Sequence, residues 1–90
     1  MLVISRHPGC VQWLKDNGVE IDAVITHATA EDVTGKNVIG HLPLHLAALT
    51  ASVSVVDLPY LPAEFRGTDL TPEQMDAFGA VLNAYDVLKL

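Results

Sequence analysis

Two short segments of this chain combine residue types that can bind an anion and move a proton. Residues 5–9 read Ser-Arg-His-Pro-Gly, and residues 40–45 read Gly-His-Leu-Pro-Leu-His. Arginine stays charged and binds phosphate through paired hydrogen bonds, whereas histidine gains and loses a proton near neutral pH. We therefore predict that Arg6 clamps a phosphate group and that His7 acts as a general acid or base. The alternative is that Arg6 pairs with a carboxylate and that His7 only caps a turn.

Each of these segments is predicted to join a strand to a helix. Residues 2–4 form a short apolar run typical of a buried strand, and Pro8 suits the first turn of the helix that follows. Residues 37–40 predict another strand, and Pro43 opens a helix over residues 44 to about 51. That helix is apolar almost all round, which is typical of a helix buried in a core or an interface.

Further strands are predicted at residues 22–26 and 53–56. Gly18 ends the first helix, and Thr29 caps a brief helical turn after the second strand. A loop with several turn residues then spans residues 58–69, and long loops in compact domains are often functional.

The last helix is predicted from a capping box at residues 71–74, and we expect it to run to about Tyr85. The side chains expected to face inward from it are Met75, Phe78, Val81 and Leu82.

Strands that alternate with helices predict an α/β domain with a mostly parallel sheet of four strands, formed by residues 1–90. In such sheets, ligands bind beyond the carboxyl ends of the strands, where the strand order reverses. If the first and third strands are neighbours at that point, residues 5–9 and 40–45 face one crevice. Besides Arg6 and His7, the ligand contacts predicted there are Ser5, Gly9, Gly40, His41, Leu42, Pro43, His45 and Arg66.

Composition limits the function classes that remain. The net charge is −6 with five basic residues, which argues against nonspecific binding to long nucleic acids. A single cysteine excludes an internal disulfide, and neither a membrane span nor a signal peptide is evident, so we expect a cytoplasmic protein. The chain is 50% hydrophobic, which indicates either an interface with a second copy or a dense core.

Other chemistries fit the sequence less well. His41 and His45 have the spacing of helical zinc ligands, but Pro43 lies between them, so we predict no metal site and no cofactor. Ser5 and Cys10 lack the patterns of catalytic nucleophiles. Residues 66–69 form either a lid that brings Arg66 to the ligand or a solvated turn with a weak ion pair.

Three motifs in this order resemble the small CRISPR-associated proteins of the Csx-sixteen type. They are residues 5–9 with the following Trp-Leu pair, residues 38–48, and Arg-Gly-Thr-Asp-Leu at residues 66–70. The resemblance covers nearly the whole chain. It implies a small Rossmann-like fold that forms a homodimer and acts without a metal ion. It also implies a ring nuclease, which cleaves cyclic oligoadenylate (cyclic tetra-adenylate is the expected ring) and thereby ends type III CRISPR antiviral signalling.

Three hypotheses therefore stand side by side. The first is a phosphodiesterase in which the ribose 2′-hydroxyl attacks the neighbouring phosphate, with Arg6 and His7 as the catalytic residues. The second is a sensor or sponge that binds the same cyclic oligonucleotide without cutting it. The third is an interaction protein that docks a partner through the apolar helix at residues 44–51.

Overall fold

The computed structural model describes residues 1–90 as strands, short α-helices and one 3₁₀ turn. The strands are β1 (Leu2–Ile4), β2 (Ala23–Ile25), β3 (Asn37–Ile39), β4 (Ser52–Asp57) and β5 (Val81–Tyr85). The α-helices are α1 (Pro8–Asp16), α2 (Ala30–Val33), α3 (Leu44–Ala47) and α4 (Pro72–Ala77), and the 3₁₀ turn is Ala63–Phe65.

The five strands form one sheet in the order β2-β1-β3-β4-β5. The first four strands run parallel, and β5 pairs antiparallel with β4. The chain moves from β1 to one side for β2 and crosses to the other side for β3, so the strand order reverses between β1 and β3. The predicted α/β fold with a mostly parallel sheet is therefore confirmed, and β1 and β3 are neighbours as the prediction for the crevice required. The architecture is that of a small Rossmann-like domain.

Both faces of this sheet are covered in its centre. Val3 and Ile39 share one face and pack with Leu14 of α1 and Met75 of α4 in a buried cluster. Val38 and Val53 are buried too, and because side chains alternate along a strand, Val38 points to the face opposite Ile39. The central strands β1 and β3 are thereby fixed between helical layers, and their carboxyl ends hold a constant position relative to each other.

Helix α1 forms as its sequence predicts. Pro8 occupies the first turn, where its missing N–H costs nothing, and Gly18 adopts a φ of 81° just after the helix end. The indole N–H of Trp13 donates a 2.7 Å hydrogen bond to Asp76, which ties α1 to α4. The segment that carries Arg6 and His7 is therefore anchored by β1 before it and by a packed helix after it.

The prediction of a long last helix was wrong. Helix α4 ends at Ala77, Gly79 turns the chain at a φ of 78°, and the following residues form β5. Of the side chains expected to face inward, Met75 is buried and Phe78 is partly buried, but Val81 and Leu82 lie on β5 with 46% and 38% of their surfaces exposed. The sheet consequently has five strands instead of the four predicted.

Helix α3 is also shorter than predicted, since it ends at Ala47 instead of near residue 51. Both the backbone N–H and the hydroxyl of Thr50 donate to the carbonyl of Ala47, and β4 begins two residues later. Ala47 is buried, but Leu44 is 76% exposed, so this helix is not buried on all sides. None of the helices combines the length and apolar character needed to cross a membrane.

Candidate functional site

A crevice of about 560 Å³ opens at the carboxyl ends of β1 and β3. Its floor is apolar, with Val3, Ile39 and Met75 at the buried end, and its rim carries polar groups from both strand ends and from the long loop before α4. Pockets of roughly 300–1,000 Å³ with an apolar lining and a few polar groups are typical of small-ligand sites. The lining residues are Val3, Ile4, Ser5, Arg6, His7, Cys10, Thr26, Ile39, Gly40, His41, Val56, Leu58, Leu61, Phe65, Gly67, Thr68, Leu70 and Met75.

The structure brings together half of the residues predicted from the sequence. Ser5, Arg6, His7, Gly40 and His41 all line this crevice. The other predicted contacts lie outside its lining, and of these Pro43, His45 and Arg66 are solvent-exposed, while Gly9 and Leu42 are partly buried.

Gly40 brings the two strand ends together. Its φ is 149°, and a Cβ atom there would lie 2.5 Å from the carbonyl oxygen of Ile4. Its N–H also donates a 2.8 Å hydrogen bond to the carbonyl of Ser54 on β4. The structure thus shows that glycine permits a close approach between the backbones of β1 and β3 here.

Gly9 has a comparable role on the other side of the crevice. A Cβ atom at this position would overlap the carbonyl oxygen of Leu70 and lie 3.0 Å from its carbonyl carbon. Glycine therefore lets the loop before α4 rest directly on the first turn of α1. This contact brings residues 66–70 beside the segment that carries His7.

His7 is held by two polar contacts. Its backbone N–H donates a 3.1 Å hydrogen bond to the hydroxyl of Ser5, and its Nδ1 atom lies 2.5 Å from the Oδ1 atom of Asp69. Neither side chain is buried, since 55% of the His7 side chain and 72% of the Asp69 side chain are exposed. His7 does occupy the N-cap position of α1, but its side chain makes no capping hydrogen bond, so turn capping does not account for it.

Arg6 has no carboxylate partner. The two ion pairs of the structure join Met1 to Asp22 and His7 to Asp69, and neither involves this arginine. Its guanidinium contacts the side chain of His27, whose Nε2 atom lies 3.5 Å from Nη2. The alternative in which Arg6 serves a carboxylate is therefore wrong, and its charge is free to meet an anion at the crevice rim.

Cys10 lines the crevice from the first turn of α1. Burial raises the pKa of its thiol, and a hydrogen bond with Ser5 opposes that shift only in part. A thiol with a raised pKa is protonated at neutral pH and is a weak nucleophile.

No group of three or more histidine, cysteine, aspartate or glutamate side chains converges as ligands to a metal ion would. Several crevice residues had no signal in the sequence. Leu58, Leu61, Phe65 and Leu70 form an apolar wall contributed by the long loop and its 3₁₀ turn. These residues are far from β1 along the chain, so the sequence does not show that they lie close to it in the fold. Only the turn residues of the loop indicated that this region was a candidate.

The comparison with protein families gives a match over nearly the whole chain. Residues 2–88 match the family described as "Putative CRISPR-associated protein (Cas_VVA1548)". No curated protein and no solved structure is significantly similar to this chain. Since the family match covers nearly the whole chain, including both strand ends and the long loop that form the crevice, this protein belongs to the CRISPR-associated family Cas_VVA1548.

Proposed function

We propose that this protein is a ring nuclease that cleaves cyclic oligoadenylate without a metal ion and so switches off type III CRISPR signalling. The observation that carries the proposal is that Arg6 and His7 both lie at the rim of a crevice of nucleotide size, and that Arg6 has no carboxylate partner there. Family membership supports a role in CRISPR defence, and the resemblance of its motifs to ring nucleases supplies the reaction class.

The chemistry needs only groups that are present. The 2′-hydroxyl of one ribose attacks the adjacent phosphorus and gives its proton to the Nε2 atom of His7. The 2′-O–P bond forms as the bond from phosphorus to the 5′-oxygen breaks. The departing 5′-oxygen takes a proton from water, and protonated His7 returns its proton to the solvent. The products are a 2′,3′-cyclic phosphate and a 5′-hydroxyl. Arg6 stabilises the negative charge that develops on the phosphoryl oxygens.

The rest of the crevice suits a nucleobase. More than half of its lining residues are hydrophobic, and the wall formed by Leu58, Leu61 and Phe65 lies on the side of the long loop. The ring of Phe65 is itself supported by Phe78, with ring centroids 5.2 Å apart. A rigid apolar wall beside a cationic rim fits a ligand that is part aromatic base and part phosphate, as a nucleotide is.

The working unit in this proposal is a homodimer. Strand β5 lies at the sheet edge, all its residues are exposed, and it carries no charge in a chain of net charge −6. A second negatively charged copy can meet this strand without facing a like charge on the strand itself. If two β5 strands paired antiparallel through their backbones, the two crevices would lie at opposite ends of the dimer. A two-fold axis parallel to the strands instead places both crevices at the same end of the dimer. In that arrangement the two copies meet through side chains of β5 such as Val81 and Tyr85.

The test is incubation of the purified protein with cyclic tetra-adenylate in EDTA, followed by chromatography of the products. We expect linear adenylates carrying a 2′,3′-cyclic phosphate. Arg6→Ala should reduce the rate at least about 100-fold, because it removes the charge that stabilises the transition state. The matched control is Lys15→Ala, which removes an exposed cation of α1 outside the crevice lining and should leave the rate within about twofold.

Intact ligand after incubation with excess protein would refute the nuclease. A binding titration would then distinguish a sponge or sensor from a protein with a different ligand, since a sponge binds cyclic tetra-adenylate and loses affinity in the Arg6→Ala variant. An unaltered cleavage rate in Arg6→Ala would instead remove this arginine from the mechanism.

A further inference from the structure

The contact between His7 and Asp69 joins two parts of the crevice that are 62 residues apart in the chain. Asp69 itself does not line the crevice, although its neighbours Thr68 and Leu70 do. Its carboxylate therefore meets the imidazole from outside the ligand space. The atom it meets is Nδ1, which leaves Nε2 as the ring nitrogen that is open to a ligand.

The loop holds Asp69 in place through its own backbone. The hydroxyl of Thr68 donates a 2.6 Å hydrogen bond to the carbonyl of Phe65, and Gly67 takes a φ of 78° between them. Immediately after Asp69, the carbonyl of Leu70 rests against Gly9 in the first turn of α1. The backbone that carries Asp69 is thus held by a tight turn on one side and by a packed backbone contact on the other.

The position of the carboxylate determines which nitrogen of the imidazole carries the proton. A carboxylate accepts hydrogen bonds, so the ring nitrogen beside it carries the proton. In neutral His7 this puts the proton on Nδ1 and leaves a lone pair on Nε2. A histidine with its proton on Nε2 would present a donor to the crevice and could not accept a proton there.

We propose that Asp69 is a positioning residue that holds His7 in the Nδ1–H tautomer, with the basic Nε2 atom directed to the ligand. The use of that lone pair to accept the proton of the 2′-hydroxyl rests on the proposed function. The tautomer is a property of the protein alone and is measured without a ligand. Both side chains are exposed, so the hydrogen bond between them adds little to stability, and its effect lies in orientation.

The first experiment is ¹⁵N NMR of the imidazole rings in histidine-labelled protein, at a pH where His7 is neutral, with His7 assigned by comparison with His7→Gln. We expect a protonated Nδ1 and an unprotonated Nε2 at His7. In Asp69→Asn the side-chain amide can donate to Nδ1, so we expect the proton to move to Nε2. The matched control is Glu64→Gln, which removes a carboxylate of the same loop that makes no hydrogen bond, and should leave the tautomer unchanged.

The second experiment measures cleavage of cyclic tetra-adenylate by the same variants. Asp69→Asn should lower kcat about 100-fold, as expected for a misplaced reacting group, with KM changed less, and Asp69→Glu should restore part of the rate. Glu64→Gln should cleave at the wild-type rate.

A wild-type His7 with its proton on Nε2, or an unchanged tautomer in Asp69→Asn, would overturn the proposal. The wild-type spectrum decides this even if the variant fails to fold, and circular dichroism identifies such a failure. If the tautomers are as expected but the wild-type protein cleaves nothing, Asp69 still orients His7, and the nuclease proposal is refuted.

Discussion

Replacing Gly9 with alanine tests whether the packing of the loop on α1 sets the geometry of His7. The new methyl group would overlap the carbonyl oxygen of Leu70 and lie 3.0 Å from its carbonyl carbon. Carbon atoms in contact prefer roughly 3.5–4.0 Å, so the loop backbone has to retreat by on the order of 1 Å. Asp69, the residue immediately before Leu70, moves with it and leaves hydrogen-bond distance of the His7 Nδ1 atom.

The effect on stability should be small compared with the effect on catalysis. Overpacking costs about 1–3 kcal/mol, and alanine regains about 1 kcal/mol over glycine in a helix. A net loss of about 0–2 kcal/mol lowers the Tm of a chain of this size by at most about 16 °C. A displacement of about 1 Å in a reacting group costs on the order of 100-fold in rate. We therefore expect Gly9→Ala to fold and to lose most of its cleavage activity.

Gly18→Ala is the matched control. Gly18 has a φ of 81° and no atom within 4 Å of its missing side chain, so alanine there introduces backbone strain of about 1–2 kcal/mol without moving any neighbour. It should resemble Gly9→Ala in Tm and the wild-type protein in activity. If Gly9→Ala kept both the wild-type rate and the wild-type tautomer of His7, the packing argument would be refuted.

Two further predictions concern the dimer and the pH dependence of stability. Val81→Lys on β5 should shift the protein from dimer to monomer in sedimentation or light-scattering measurements. The control is Val24→Lys, which changes an equally exposed residue on the opposite edge strand β2 and should leave the dimer intact. A dimer in both variants would place the interface elsewhere. The backbone N–H and then the hydroxyl of Thr29 hold the pKa of Asp32 below its usual value, so this carboxylate stabilises the folded state above pH of about 4, and the contribution is lost as the pH falls through the lowered pKa. Urea midpoints at pH 7 and near pH 2.5 should therefore differ less for Asp32→Ala than for the wild type or for Glu31→Ala, and an equal difference in all three would exclude Asp32 as the cause.

The sequence predicted those parts of the structure that depend on local pattern. The apolar run at residues 2–4, Pro8 and Gly18 delimit β1 and α1 correctly, and the alternation of elements predicted a mostly parallel sheet. The predicted crevice required β1 and β3 to be neighbours, a condition that the sequence left open and that the structure meets. The place of the crevice followed from that topology. Arg6 and His7 could be predicted to lie there because each is adjacent to the end of β1 along the chain.

The errors arose where distant contacts override local pattern. Met75, Phe78 and Leu82 recur at helical spacing, yet residues 81–85 pair with β4 and form a strand, because Gly79 ends the helix and the edge of β4 offers a full set of backbone partners. The contact of Asp69 with His7 spans 62 residues, and no spacing rule connects them. The packing role of Gly9 had no signal in the sequence for the same reason, since the backbone it accommodates comes from a distant part of the chain.

The position of β5 affects how the crevice opens by local unfolding. The loop that carries Asp69, together with α4, connects β4 to β5, and those two strands pair along five residues. While β5 stays paired, both ends of this connection are tethered, and the entropy of the segment is limited accordingly. When β5 frays from the edge, one tether is lost, and the loop gains freedom to leave α1. Fraying of β5 at the edge of the sheet is thus coupled to the assembly of the crevice, although no residue of β5 lines the crevice.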